Sequence, residues 1–301
     1  MKFIDSRIEL IEQKPGIAGM MQHIELAGRV AYKSEDRITD DSAEEFVKML
    51  ISRGHTACLE QGTVYLTIPA VALDIDTLSF LSNNPYTRIA EDKDTGGLKV
   101  TTNYRVLLEN NKLELLEYWS EPDQHIRRYT IRFICSRGVS HELVRHRVFS
   151  FVQESTRYCN YSKDKHDNEL KFIIPVGVTD IKDGDVYTVN DVTPQKFLEL
   201  TMGGTLAPTS AMLIGANVAS EQVYMEMLKA GWTPQRARDV LTNGLKTEVV
   251  MTGFDDQWVG FLDLRSYAFG ARGMHPDMGK LGDLVFDTLE PLVHFDKKAD
   301  A

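Results

Sequence analysis

Two runs of alternating apolar and polar residues constrain this fold more than any other feature of the chain. TVYLTIPA (63–70) sets Val64, Leu66 and Ile68 against polar neighbours, and YTIRFICS (129–136) does the same with Tyr129, Ile131, Phe133 and Cys135. Successive side chains of a strand point to opposite faces, so each run reads as a strand with one face in a core. The two are expected to pair antiparallel. KTEVVMTG (246–253) is a further strand, and KFIIPV (171–176) leads into an acidic turn, IKDGD. Between these runs the apolar period changes to that of helices: 16–32, 42–53, 194–202, about 207–230 ending at Gly231, 234–242, about 255–267, and a last helix from about Pro276. Asp41 or Ser42 is the expected cap of the second helix and Gly54 its stop, while Thr233 and Pro234 open the fifth. The stretch 71–128 holds a helix-like VALDIDTLSFL, a turn-like SNNPY and a polar EDKDTGG. It reads as an insertion between the first two core strands, decorating a sheet whose strands pair without it. The class is α+β: an antiparallel sheet packed with helices, one domain over 1–301.

Composition narrows the function. The formal charge is -10, which argues against broad electrostatic binding to nucleic acid or anionic membrane, so an anionic ligand needs a local cationic cluster. Three cysteines (Cys58, Cys135, Cys159) show no CxxC spacing and an odd count, which points to a reducing compartment and a cytoplasmic protein. The N-terminal stretch has no continuous apolar region, and no apolar run approaches membrane-spanning length.

The cationic cluster is VRHRVFSFVQESTRY (144–158), with Arg145, His146, Arg147 and Arg157 among apolar residues. With Ser140 as cap, SHELVRHR would be a helix carrying Glu142, Arg145 and His146 on one face. Zinc is rejected, because a metalloprotease helix needs a second histidine where Arg145 stands. A charge-rich helical turn is ordinarily no more than an ion-pair face. Here, however, Gln153, Ser155 and Arg157 follow at alternate positions, and on an extended segment their amide, hydroxyl and guanidinium would point the same way, suiting a phosphate or a pyrimidine edge. GHTACLEQ (54–61) offers His55 and Glu60 before a strand, although a histidine at a helix C-terminus commonly only complements the dipole. Arg238 and Arg265 lie in apolar helical patterns and want an anion or a carboxylate, with Asp239 and Asp263 as the plain partners. Neither a Rossmann fingerprint nor a P-loop occurs.

Taken together these segments resemble the flavin-dependent thymidylate synthases. The resemblance rests on RHRVFSFVQESTRY, with GRVAYKS (28–34), GHTACLE (54–60), ARDVL (237–241) and TGFDDQWVGFLDLR (252–265) agreeing in order. It implies a ThyX-like fold and a homotetramer with active sites shared between subunits. It further implies conversion of dUMP to dTMP with FAD, NADPH and methylenetetrahydrofolate. By residue-to-residue match His55, Ala57, Glu60, Arg145, His146, Arg147, Gln153 and His275 would contact FAD. Glu142, Arg145, Gln153, Glu154, Ser155, Thr156, Arg157, Arg238 and Arg265 would form the dUMP pocket. Arg265 matches the arginine that activates the uracil ring, a role for which a fixed cation beside the carbonyl edge is suited.

Some positions depart from the family pattern. Ala57 stands where Ser or Thr is frequent, and Phe254 and Asp256 stand where the family often has Asn-x-Arg. Asp256 would repel a diphosphate, so Asp256→Arg is expected to tighten FAD. TTNYR (101–105) has the shape of the missing motif, and SYAFGARGM (266–274) displaces the expected histidine to His275. Two alternatives stand beside the family reading: the same fold acting on another pyrimidine nucleotide, and a nucleic-acid-binding module, which the net charge disfavours.

Overall fold

A computed structural model of the chain describes residues 1–163 and 168–293. The central sheet is antiparallel, in the order β2 (Arg7–Ile11), β6 (Arg128–Ser136), β9 (Lys246–Phe254), β7 (Ser150–Gln153). Tyr129, Ile131, Phe133 and Cys135 of β6 lie opposite Gly253, Met251, Val249 and Thr247 of β9. The inward face packs on α9 (Asp255–Arg265) and α10 (Pro276–Leu289), where Phe133, Trp258, Phe261 and Leu281 are fully buried. Each such side chain contributes roughly 1.5–3 kcal/mol relative to exposure. α1 (Gly16–Tyr32) and α2 (Ser42–Ser52) form a second core with β3 (Thr63–Ile68). A third gathers around the long helix α7 (Pro208–Lys229) and the parallel pair β1 (Lys2–Ile4) and β8 (Lys171–Ile173). Among the described residues no helix is long and apolar enough to cross a membrane.

The expected pairing of the two alternating runs does not form. β3 pairs instead with β5 (Gly97–Asn103), which carries β4 (Arg88–Asp92) on its other edge, in a separate three-stranded antiparallel sheet. Residues 71–128 are therefore not a decoration. They supply both partner strands of β3's sheet and bury Leu81, Val100, Leu107 and Leu115 in the core shared with α1 and α2. A strand pattern shows which face is buried but not which strand lies alongside. The edge partner of β6 is β2, near the N-terminus, with Ile8 opposite Phe133.

One buried polar chain ties the central sheet and the turn before β3 to α1. His23 bonds Thr130 Oγ1 at 3.0 Å, Thr130 meets Thr252 at 2.7 Å, and Thr252 donates to Gln61. Burial, reinforced by the Arg128 charge, pushes the His23 pKa down from 6.5 to about 4. Between those values the unfolded chain takes up a proton that the folded chain refuses, so stability falls as pH falls through this window, by up to about 1.4 kcal/mol per pH unit. His23→Gln is expected to remove its share of that slope in thermal melts across the window. An unchanged slope would mean that His23 protonates normally in the fold.

Candidate functional site

The site is built where β6 ends. Ser136 accepts from Val139 N at 3.2 Å and caps α5 (Arg137–Leu143), so the helix begins earlier than a Ser140 cap would place it. Ser140 is instead inside the helix and buried, its hydroxyl donating to Arg137 O. The helix also ends earlier, and Arg145, His146 and Arg147 lie on successive turns leading into β7. Glu142, Arg145 and His146 therefore do not share a helix face. Two of them nevertheless converge on the last residue of α9: Arg265 Nη1 donates to Glu142 Oε2 at 3.0 Å, and Arg265 Nε donates to His146 Nε2 at 3.1 Å. The imidazole sits 4.9 Å from the Phe261 ring and edge-on to Phe149. Burial first and the adjacent Arg265 charge second lower its pKa to about 4, so it is neutral with its proton on Nδ1. The plain partner for Arg265, Asp263, is not the one it takes.

The alternation expected for Gln153, Ser155 and Arg157 stops at Gln153, the end of β7. Gln153 Nε2 donates to Ser140 Oγ at 2.9 Å and Thr247 Oγ1 at 3.2 Å. The chain then turns, with Ser155 N donating to Ala31 O and Arg157 N to Ser155 Oγ. Glu154 points to the opposite side of the sheet. Its carboxylate, in a residue only 2% exposed, pairs with Lys246 at 3.0 Å and accepts from the Tyr161 hydroxyl at 3.0 Å. Thr156 is buried and accepts from Arg238 Nη1 at 3.3 Å, which joins two of the expected nucleotide contacts. Arg157 is exposed and lies over the Tyr158 ring.

His55 stands at the head of a 3-10 turn, Thr56–Gln61. The Tyr32 hydroxyl bonds its Nδ1, and the Tyr32 ring packs 5.6 Å from Tyr158, so the histidine motif is linked to the arginine segment through two tyrosines. Ala57 is exposed on the same turn, whereas Glu60 is taken by Arg105 at 2.6 Å. His275 caps α10, its Nδ1 accepting from Asp277 N, and no contact joins it to Arg265. Tyr32 lies within GRVAYKS, but spacing alone gave it no role. The cations around Glu154 also escaped the sequence reading: Lys33, Lys246 and Arg132 surround Glu248, and with Glu154 and Tyr161 most of this set lines a cavity of about 420 Å³. The alternation of Lys246 and Glu248 in KTEVV was the signal.

The departures have structural occupants. Phe254 is buried at the head of α9, with the Arg88 guanidinium 4.6 Å above its ring and Arg128 at 5.5 Å. Asp256 Oδ2 pairs with Arg88 Nη2 at 3.3 Å. In TTNYR, Asn103 caps α4 (Tyr104–Glu109) by accepting from Val106 N, and Arg105 bridges Glu60 and Glu109. That segment is engaged within the protein. Arg145 and Arg147, by contrast, are exposed, and among the described residues neither has a carboxylate partner. Two unpaired guanidiniums on an acidic chain, next to an aromatic-walled histidine, fit the phosphates of a dinucleotide such as the implied FAD.

A family model described as thymidylate synthase complementing protein matches residues 114–280, more than half of the chain. The chain belongs to that family. The part matched to the thymidylate synthase complementing protein family contains α5, the arginine segment, Arg238, Arg265 and His275, while His55, Ala57 and Glu60 precede it. The flavin-dependent thymidylate synthase of Thermococcus onnurineus (strain NA1) is 33% identical over 132 residues, 44% of this chain and 43% of that protein. That of Mycobacterium avium (strain 104) is 28% identical over 131 residues, 44% of this chain and 46% of its own length. The chain thus spans about half the length of the curated relatives it matches. Among solved structures, the UMP/dUMP methylase PolB from Streptomyces cacaoi bound with 5-Br dUMP aligns over 97% of this chain and 93% of its own, at 14% identity and a TM-score of 0.44. Thymidylate Synthase X (ThyX) from Helicobacter pylori with FAD and dUMP aligns over 94% and 93%, at 12% identity and a TM-score of 0.38.

Proposed function

We propose that this protein is a flavin-dependent thymidylate synthase, converting dUMP to dTMP with methylenetetrahydrofolate as one-carbon donor and NADPH as reductant. In this reading it acts in the cytoplasm as a homotetramer whose subunits share active sites, and it binds neither membrane nor nucleic acid. The observation that carries the reading is the convergence of Glu142 and His146 on Arg265, beside two arginines left unpaired. Arg145 and Arg147 hold the cofactor phosphates, with His55 at the ring system. When bound, the flavin would supply hydride to the pyrimidine, while the folate supplies the one-carbon unit. Gln153, Ser155, Thr156, Arg157 and Arg238 hold the nucleotide. Arg265 sets a fixed cation against the uracil carbonyl edge, where it favours negative charge developing on the ring. Glu154 acts from behind, fixing the turn through Lys246.

The test is to load the purified protein with FAD, record the visible flavin absorbance, and follow product from dUMP or UMP with both co-substrates. Flavin-dependent dTMP formation supports the reading. Turnover of UMP alone would reassign the substrate, and salt-sensitive nucleic-acid binding without flavin would replace the enzyme by a binding module. Because Asp256 already pairs with Arg88, Asp256→Arg is now expected to leave FAD affinity unchanged at two salt concentrations. Tighter FAD binding at low salt would put this segment in the cofactor site.

A further inference from the structure

We propose that His146 and Glu142 are positioning residues for Arg265, fixing the plane of its guanidinium so that Nη2 is the donor presented to the nucleotide. The inference rests on the reading that Arg265 touches the pyrimidine, and it differs from the resemblance, which gives His146 to the flavin and Glu142 to dUMP.

A guanidinium has five N–H donors in one plane. Here Nε donates to His146 at 3.1 Å and Nη1 to Glu142 at 3.0 Å, and among the described residues Nη2 has no partner. Two acceptors on two different nitrogens leave the plane no freedom to rotate, and the far edge of the fork remains open. The acceptors differ in kind. Glu142 supplies charge, but its side chain is 34% exposed, and an ion pair that open to water is weak by itself. His146 supplies geometry. Its ring is wedged against Phe261 at 4.9 Å and Phe149 at 6.4 Å, within the same aromatic group as the fully buried Trp258. Because the ring stays neutral, the Nε2 lone pair remains an acceptor facing a cation, and only Nδ1–H is left for any other partner.

The other end of the Arg265 side chain is also fixed. α10 crosses the end of α9 so closely that a Cβ at Gly282 would come within 1.9 Å of the Arg265 carbonyl oxygen. Just beyond, Ser266 Oγ and Ala268 N both donate to Asp283 Oδ1 at 2.8 Å. Backbone and guanidinium are thus held independently, one by α10 and the other by α5 and the turn after it. A residue that only decorates the surface needs neither restraint.

The experiment is a double-mutant cycle between position 146 and Arg265 in the FAD-loaded protein, with kcat, KM for dUMP, dUMP affinity and flavin content measured separately. His146→Phe keeps the ring packing and removes the acceptor, and it is expected to lower kcat about 10- to 100-fold at unchanged flavin content. His146→Gln, which returns an acceptor near Nε2, is expected to recover most of that loss. In the Arg265→Lys background His146→Phe should cost little more, because its effect runs through the guanidinium. Should His146→Phe fail to fold, Glu142→Gln and Glu142→Ala complete the same cycle, with Gln the milder. Multiplicative effects, or loss of flavin from His146→Phe, would overturn the assignment and return His146 to the cofactor. A wild type that binds flavin but forms no dTMP would overturn the functional reading first, and the assignment with it.

Discussion

Arg265→Lys is expected to lower dTMP formation by at least about 100-fold, the scale of losing one preorganised donor at a developing negative charge. Flavin content and melting temperature should remain near those of the wild type. A lysine is a point charge on a flexible stem and can satisfy Glu142 or His146, but it cannot hold both while presenting an open edge to a ring. The structural penalty is small by comparison. The pair with Glu142 is partly exposed, and such pairs are worth about 1 kcal/mol or less. Steady-state rates compared with flavin absorbance and a thermal melt separate the two effects. Turnover within a few-fold of wild type would remove Arg265 from the chemistry, whatever the family resemblance.

How far this site was legible in the sequence depends on the range of the interaction. β6, β9, α7 and α10 follow from local periodicity, and the structure has them within a residue or two of the expected bounds. β3 was legible as a strand while its partner was not. GLKVTTN lies behind a polar turn, and its pairing with TVYLTI is a long-range property that neither pattern carries. The start of α5 was misjudged between two serines four residues apart. Ser136 wins because its backbone is extended and its hydroxyl reaches Val139 N, whereas Ser140 already bonds back to Arg137 O. In the site itself, residue types were legible and directions were not. Arg265, in its apolar helical pattern, was expected to want an anion or a carboxylate, and it takes a carboxylate. Yet the carboxylate comes from Glu142, far away in the chain, and not from neighbouring Asp263. Glu154 shows the same limit, since its partner Lys246 on β9 draws it through the sheet, away from Gln153 and Ser155.

The largest effect on stability is expected from Glu248→Gln. Glu248 lies on β9, 5% exposed, with Lys33 Nζ at 2.6 Å, Arg132 Nε at 2.7 Å and Lys246 also bonded to it. Burial works against its charge, but Lys246, Lys33 and Arg132 together outweigh burial and hold the carboxyl well below its ordinary range. A depressed carboxylate pKa stabilises the fold in full above the unfolded value of 4.5, and that stabilisation is lost progressively as pH falls from there down through the lowered folded pKa. Glutamine keeps the shape and removes the charge, leaving three cations crowded around a neutral amide. Breaking a buried ion pair from one side costs about 3–5 kcal/mol, a loss on the order of 10 °C in melting temperature for a chain of this size. Adding Lys33→Met should restore part of it, since one surplus cation is then gone, and the wild type taken below the carboxylate range should approach the mutant. Lys246 also carries Glu154 and, through it, the turn at Ser155–Arg157, so dUMP affinity should fall in the single mutant and recover in parallel with stability. A melting temperature within a few degrees of wild type, with no rescue by Lys33→Met, would mean that water screens this cluster and that Glu154 is held by Tyr161 alone.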